Sequence, residues 1–358
     1  MSDGEQAGED ALASFRSRIE AVKEEPAVTT ARRHLDGLAK PPGALGQLEA
    51  ILCRLAAIQD TPRPQVDPAG VWLFAGDHGI ARDGVTAWPQ SVTGAMLASF
   101  AAGEGAINQL CQANTMGFTA VDAGVAEPPE GQGFIRASLG RGTRSFLREP
   151  AMSADQVDQA LSQGAALLRD TEKLVVGFGD MGLGNTSAAS CLTYALYGVA
   201  LENCVGPGAG LDAAGLQKKQ KILAEATALH GTPQDPREAL ACYGGFEIAM
   251  IAGAALEAAA ARRLILVDGF IATSAVAVAI RMVPAVQDYC LFTHAGAEPG
   301  HGSLLEALGE RPWMNLDMRL GEGAGCPLAM PLLRSAIACR DGMADIDRVL
   351  ARTRQAAG

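Results

Sequence analysis

No two cysteines of this chain form a C-x-x-C pair, and no histidine lies at zinc-ligand spacing from any of its eight cysteines, Cys53, Cys111, Cys191, Cys204, Cys242, Cys290, Cys326 and Cys339. That spacing argues against a zinc module. The first nine residues are polar and acidic and carry no secretory signal, so they read as a frayed terminus. The thiols then read as reduced and mostly buried, in a cytoplasmic protein. Positive charge is short as well: 29 Lys and Arg face 40 Asp and Glu, a net charge of −11, which argues against a nucleic-acid or anionic-membrane surface. A local basic pocket for a phosphate remains open. Apolar stretches all break before the roughly 18 residues of a membrane span. Residues 248–261 contain Gly253 and Glu257 and read as a helix buried against a sheet. Internal repeats and low-complexity tracts are absent too.

What is present is a globular composition, 48% hydrophobic and 19% charged over 358 residues. That length suits roughly two domains or one large α/β unit. The most informative stretch is Arg319-Leu320-Gly321-Glu322-Gly323-Ala324-Gly325, a single carboxylate inside a run of glycines. Glycine has no Cβ and allows φ > 0, so such backbone can close around a ligand and present one acid in a tight pocket. A surface turn with a solvated Glu is the plain alternative. The device recurs after apolar runs: Ala75-Gly76-Asp77-His78-Gly79, Gly177-Phe178-Gly179-Asp180, Gly206-Pro207-Gly208-Ala209-Gly210 and Asp268-Gly269-Phe270. Buried strands ending in Gly and a polar residue are the pattern of a parallel sheet with its ligand at the carboxyl ends of the strands.

Strands are expected at 71–74, 118–121, 174–176, 264–267 and 289–293. Between them the apolar spacing predicts helices over 91–100, 188–199, 211–230 and 244–261, with a capping box at Ser153-Ala154-Asp155-Gln156 opening one through 168. Alternating strands and helices imply βαβ units. The chain ends are helical, with the last helices packing on the first.

Glu322 is the leading general base, because an apolar, glycine-lined pocket disfavours its charge and raises its pKa toward the range useful for proton abstraction. A carboxylate merely favoured by the following helix dipole is the alternative. Asp180 is the second catalytic candidate. The segment Gly182-Leu183-Gly184-Asn185-Thr186-Ser187 leads into a helix and offers backbone N–H groups and hydroxyls to an anion. It matches neither the P-loop nor a full dinucleotide fingerprint. Lys218 and Lys219 read as lying on an exposed helix, solvated by default. The 266–274 loop resembles the pyrophosphate–sugar loop of ordinary phosphoribosyltransferases, except that Gly269 replaces the second acid, so no metal-bound pyrophosphate donor is expected. Asp77, His78, His294 and His301 could be metal ligands, but strand-end hydrogen bonding is the preferred reading, and neither metal nor cofactor is expected.

Lys40-Pro41-Pro42-Gly43-Ala44-Leu45-Gly46-Gln47-Leu48-Glu49 resembles the N-terminal signature of the nicotinate-nucleotide–dimethylbenzimidazole phosphoribosyltransferase family. The likeness continues through Gly184-Asn185-Thr186, Gly210-Leu211-Asp212, Gly244-Gly245-Phe246-Glu247-Ile248, Asp268-Gly269-Phe270, Glu298-Pro299-Gly300-His301 and the Glu322 loop, over roughly residues 25–340. The resemblance implies an α/β fold, a Rossmann-like parallel sheet flanked by helices. It also implies a small helical domain from both termini (1–64 plus about 335–358), beside a large domain (65–334), in a homodimer. The implied substrates are nicotinate mononucleotide and an aromatic base, with Glu322 as general base. The donor phosphate is expected between Gly182, Gly184, Asn185 and Thr186 on one side and Gly208 and Gly210 on the other, with charge from Lys219. Asp268 and Gly321 complete the donor side, and Thr86 and Trp88 the acceptor side. Departures from the family pattern are Asp180 for Glu, Pro207 for Arg, Ala209 for Thr, Ala95 for Gln and the small residues after His294. These bear on substrate choice, and they keep two further readings open: a member that activates a phenolic or purine base, and a silent partner of an active paralogue. Retention of Glu322 favours an enzyme. An NAD oxidoreductase fits less well, since the acidic ribose-binding residue after a full glycine fingerprint is missing.

Overall fold

A computed structural model describes residues 3–23 and 26–356. Six parallel strands form the central sheet: β1 (Ala69–Gly76), β2 (Gly117–Gly124), β3 (Phe134–Arg136), β4 (Val175–Met181), β5 (Leu264–Val267) and β6 (Cys290–Phe292). Their spatial order is β3-β2-β1-β4-β5-β6. The order reverses between β1 and β4, which is the topological switch point of a doubly wound sheet and opens a crevice beyond the carboxyl ends of those strands. A short parallel pair, β7 (His294–Ala295) with β8 (Met314–Asn315), extends the β6 end. The α/β class and parallel sheet agree with the sequence reading.

The core strands are apolar because both faces are covered. Every residue of β1 is buried. On one face the helix Phe246–Ala260, buried over almost its whole length, packs against Ala154–Arg169. These two helices touch backbone to backbone: a Cβ on Gly164 would overlap the Met250 carbonyl, and one on Gly253 the Leu161 carbonyl. The helix Ala154–Arg169 starts with the expected capping box, Gln156 N–H donating to Ser153 Oγ at 3.2 Å and Ser153 N–H to Gln156 Oε1 at 3.0 Å. Among the described residues, no helix is long and apolar enough to cross a membrane.

Several boundaries differ from expectation. The start expected to fray is helical from Asp3 (Asp3–Arg18), while residues 1 and 2 lie outside the described residues. The helix expected from 244 starts at Phe246 and runs to Ala260, because Gly244-Gly245 lie outside it, where a Cβ on Gly245 would strike His78; a separate helix, Pro236–Tyr243, precedes it. The chain ends meet: the helices Pro26–Gly37 and Gln47–Gln59 lie near Gly325–Gly342, Ala39 N–H donates to Ala344 O at 2.8 Å, and the buried Arg340 donates to Pro64 O. Lys40 and Glu49, the two ends of the N-terminal motif, form an ion pair at 2.9 Å. That motif therefore locks a turn.

Gly253→Ala places a methyl group against the Leu161 carbonyl and is expected to cost about 1–3 kcal/mol, as overpacking does. Urea unfolding measures it; an unchanged midpoint would mean that the two helices need not approach this closely.

Candidate active site

A cavity of about 370 Å³ opens at the carboxyl ends of the strands, next to the β1/β4 switch point. Its walls come from the end of β4 and the start of the helix Asn185–Tyr197, from the 208–209 turn, and from the start of the helix Phe270–Met282. The 294–298 segment and the loop 318–322 complete it.

Glu322 is buried, and its Oε2 has no partner among the described residues. Burial lifts its carboxyl above the usual carboxylate range; the Ile107 backbone N–H partly offsets this, and the Asp268 charge adds to it. Its loop is strained: Gly321, Glu322 and Gly323 have φ of 76°, 62° and 82°. For a residue with a Cβ such a φ is costly. The loop lies flat on β4, so that a Cβ on Gly179 would overlap the Glu322 carbonyl. The strand expected over 174–176 thus runs on to Met181, and Gly179 within it makes room for the Glu322 segment.

Asp180, near the end of β4, is the second buried acid on the cavity wall. Asn185 Nδ2 donates to its Oδ1 at 3.1 Å, and Oδ2 has no partner among the described residues. Burial, with the charges of Asp268, Glu247 and Glu322, pushes its carboxyl well above the usual range. Gly321 faces it.

Asp268 lies behind the wall, fully buried. Its Oδ1 accepts from Gly325 N–H at 2.7 Å and from His294 Nε2 at 3.1 Å, and its Oδ2 from Gly323 N–H at 3.0 Å. Burial alone would depress the His294 imidazole, but Asp268 outweighs burial and holds it above its ordinary value. His301 accepts from Gly296 N–H at Nδ1 (2.9 Å), which leaves Nε2–H to donate to Thr273 Oγ1 at 3.0 Å. Burial and the neighbouring His294 push it down to about 4. His78 pairs with Glu247 at 2.5 Å, and Asp77 accepts from Thr93 Oγ1 at 2.6 Å and from Ala126 N–H at 2.9 Å. Asp77, His78 and His294 are thus tied in at or just after strand ends, while His301 bonds from the helix Pro299–Leu308.

The cavity also has cationic support behind Thr186 and Gly208. Lys219 is fully buried, which corrects its reading as a solvated surface lysine. The helix Ala213–His230 turns it inward, where Nζ donates to Thr186 Oγ1 at 2.9 Å and to Gly206 O at 3.0 Å. Burial pushes it down to about 8, with Glu298 opposing. Two of its three protons are spent, and a Cβ on Gly208 would stand 3.0 Å from Thr186 Oγ1 and 3.5 Å from Nζ. Glycine at 208 keeps that ammonium approachable.

Gly182, Asn185, Thr186, Gly208, Trp88 and Gly321 line the cavity with Asp180 and Glu322. Thr86, Gly184, Gly210, Lys219 and Asp268 support it from outside the lining. Thr86 Oγ1 accepts from Trp88 N–H at 3.3 Å, and Gly184 caps the helix Asn185–Tyr197 with φ of 98°. Gly210 N–H donates to Gly208 O at 2.8 Å. Trp88 is 56% exposed and bridges to the 206–210 turn, its Nε1 donating to Ala209 O at 3.0 Å. Ala95 is exposed and off the wall, where Val92 and Met96 stand instead. Sequence reasoning missed His294, Glu298, Met318 and Arg319 as wall residues; each lies in or beside a motif it had singled out.

Fold and cavity together define a doubly wound α/β protein with a small-ligand cavity at its switch point, lined by Asp180, Glu298 and Glu322 and backed by the buried Lys219. A family profile described as "Phosphoribosyltransferase" matches residues 19–349. The chain is 49% identical to the nicotinate-nucleotide--dimethylbenzimidazole phosphoribosyltransferase of Cupriavidus taiwanensis, over 87% of this chain and 91% of that one. It is 46% identical to the protein of that name from Aromatoleum aromaticum, over 90% and 95%. Among solved structures, CobT from Thermus thermophilus superposes with a TM-score of 0.86 at 39% identity, covering 90% of this chain and 98% of that one. The chain belongs to this phosphoribosyltransferase family.

His301 provides a pH test of the site. Its folded pKa of about 4 lies below the unfolded value of 6.5, so the unfolded chain binds the extra proton first. Its contribution to stability is therefore full above 6.5 and is lost as pH falls toward 4. Histidine NMR should show one ring that stays neutral at pH 5; five rings that all protonate near 6.5 would contradict the buried network.

Proposed function

We propose that the chain transfers the phosphoribosyl group of nicotinate mononucleotide to 5,6-dimethylbenzimidazole or a related aromatic base. The products are α-ribazole 5′-phosphate and nicotinate, in assembly of the cobalamin nucleotide loop. The relatives' shared name supports the reaction, and the buried, unpartnered Glu322 Oε2 on the cavity wall is the observation that carries it here. A base nitrogen attacks C1′ of the ribose. The bond from C1′ to the pyridinium nitrogen breaks, and its electron pair neutralises that nitrogen. Glu322 takes the proton from the acceptor's other ring nitrogen, for which a carboxyl of raised pKa is suited. The leaving group is already cationic, so the scheme calls for no metal and no cofactor.

In this reading the donor phosphate sits where Gly182, Asn185, Thr186 and Gly208 converge, with the third proton of Lys219 directed to it. Gly184 and Gly210 shape that cradle. Asp180 lies by the ribose carbon, where its raised pKa suits a carboxyl that shares a proton with a sugar hydroxyl. Trp88, Val92 and Met96 make a flat apolar wall for the base, with Thr86 fixing the Trp88 backbone. Shape then decides acceptor choice more than polar contacts do. The same reading takes the protein as a cytoplasmic homodimer. It divides the chain into a small helical unit (1–64 with 335–358) and a large catalytic one (65–334). The exposed apolar residues Trp88, Leu316 and Leu320 near the cavity are surface that a second copy would cover. An acid held unpaired in a cavity favours an active enzyme over a silent partner.

Glu322→Gln conserves shape and removes the proton acceptor. Turnover should fall by on the order of 10²–10⁴, with the fold intact by circular dichroism. Wild-type turnover in this variant would remove Glu322 from the role of base.

A further inference from the structure

A lone aspartate at the start of a sugar-binding loop would ordinarily be assigned to the ribose. Asp268 is placed differently. It is 0% exposed, and three donors from this chain converge on its two oxygens: Gly323 N–H, Gly325 N–H and His294 Nε2. Two of these donors are backbone amides closely following Glu322. We infer that Asp268 is a positioning residue, the anchor that seats the Glu322 loop on β4, and not a ligand of the sugar. This rests on the transfer reading and on Glu322 as its base.

Three features carry it. The loop holds three consecutive positive φ values, one at a residue with a Cβ, and so needs an external constraint to persist. The anchor fits closely: a Cβ on Gly325 would lie 2.9 Å from Asp268 Oδ1 and would overlap His294 Cδ2. Finally, the loop bridges the two acids of the cavity, since Gly321 stands over Asp180 and Glu322 is the next residue. Releasing the two amides would let Glu322 drift, and a displacement of about 1 Å can cost a hundredfold in rate.

The anchor also acts through its charge. Glu322 is faced by Asp268 after β5, by Asp180 on β4 and by the Ile107 N–H of the helix Ala106–Ala113. Asp268 is faced by Asp180 on β4, His294 on β7, His301 on the helix Pro299–Leu308 and Cys326 on Gly325–Gly342. A buried anion beside Glu322 disfavours ionisation of Glu322. Removing it lowers the pH at which Glu322 becomes a competent base.

The test uses full-length wild type, Asp268→Asn and Asp268→Glu, assayed with nicotinate mononucleotide and dimethylbenzimidazole across pH. Backbone hydrogen exchange is measured on the same free proteins. In Asp268→Asn, kcat should fall by on the order of 10- to 100-fold, the donor KM should stay near wild type, and the acid limb of the profile should move to lower pH. Asp268→Glu keeps the charge but not the fit, so kcat should fall while the acid limb stays in place. In both variants the amides of 321–325 should exchange faster. A raised donor KM with unchanged kcat would make Asp268 a sugar ligand and overturn the inference, as would unchanged exchange at 321–325. If Asp268→Asn does not fold, Asp268→Glu decides by its kcat–KM split and its exchange. An inactive wild type would count against the transfer reading alone, because exchange would still decide the anchor.

Discussion

The close seating of the Glu322 loop on β4 is the constraint on which the rest of the site depends. It requires glycine at 179, since any side chain there would collide with the Glu322 carbonyl. It holds three residues at positive φ, which for Glu322 costs about 1–3 kcal/mol. Against that stand hydrogen bonds from Gly323 and Gly325 to the Asp268 carboxylate. Bonds to a charged acceptor contribute about 1.5–3 kcal/mol each, which offsets strain of that size. Asp268 in turn stands at the end of β5, and β5 is held in register by β4 and β6 (Val267 pairs with Phe178 and with Phe292). The sheet therefore sets the position of the acid through a short chain of contacts.

That geometry gives the cavity a polarity. Asp180 and Glu322 line one part, and burial with the charge of Asp268 raises the pKa of both, Glu247 and Glu322 adding to the shift of Asp180. Lys219, Thr186 and Gly208 form the other part around a buried ammonium. The phosphate of nicotinate mononucleotide suits the lysine-backed part, which links the electrostatics of the cavity to the proposed donor.

Much of this was legible in the chain. The strand Leu264–Val267 has the bounds that its apolar run implies, the Ser153 capping box forms as spelled, and both leading acids reach one cavity. Local signals failed where a distant segment overrode them. Glycines at 177 and 179 imitate a turn, yet they lie within β4 to admit Cys326 and the Glu322 loop. Gly244-Gly245 fall outside the helix expected from 244, which starts at Phe246, because His78 and Glu247 occupy the adjacent space. Lys218 and Lys219 are adjacent and chemically alike, and only the tertiary contact with Thr186 and Gly206 turns the second inward. The bonds of Asp268 were not legible, because its Gly323 and Gly325 partners lie 55 and 57 positions away.

The most direct measurement is a product assay. Purified protein is incubated with nicotinate mononucleotide and a panel of aromatic bases, and both nicotinate release and product mass are followed. The account predicts release that depends on an added base, matched by a riboside 5′-phosphate of that base, with dimethylbenzimidazole accepted. No release with any base, or release that proceeds equally without one, would contradict it.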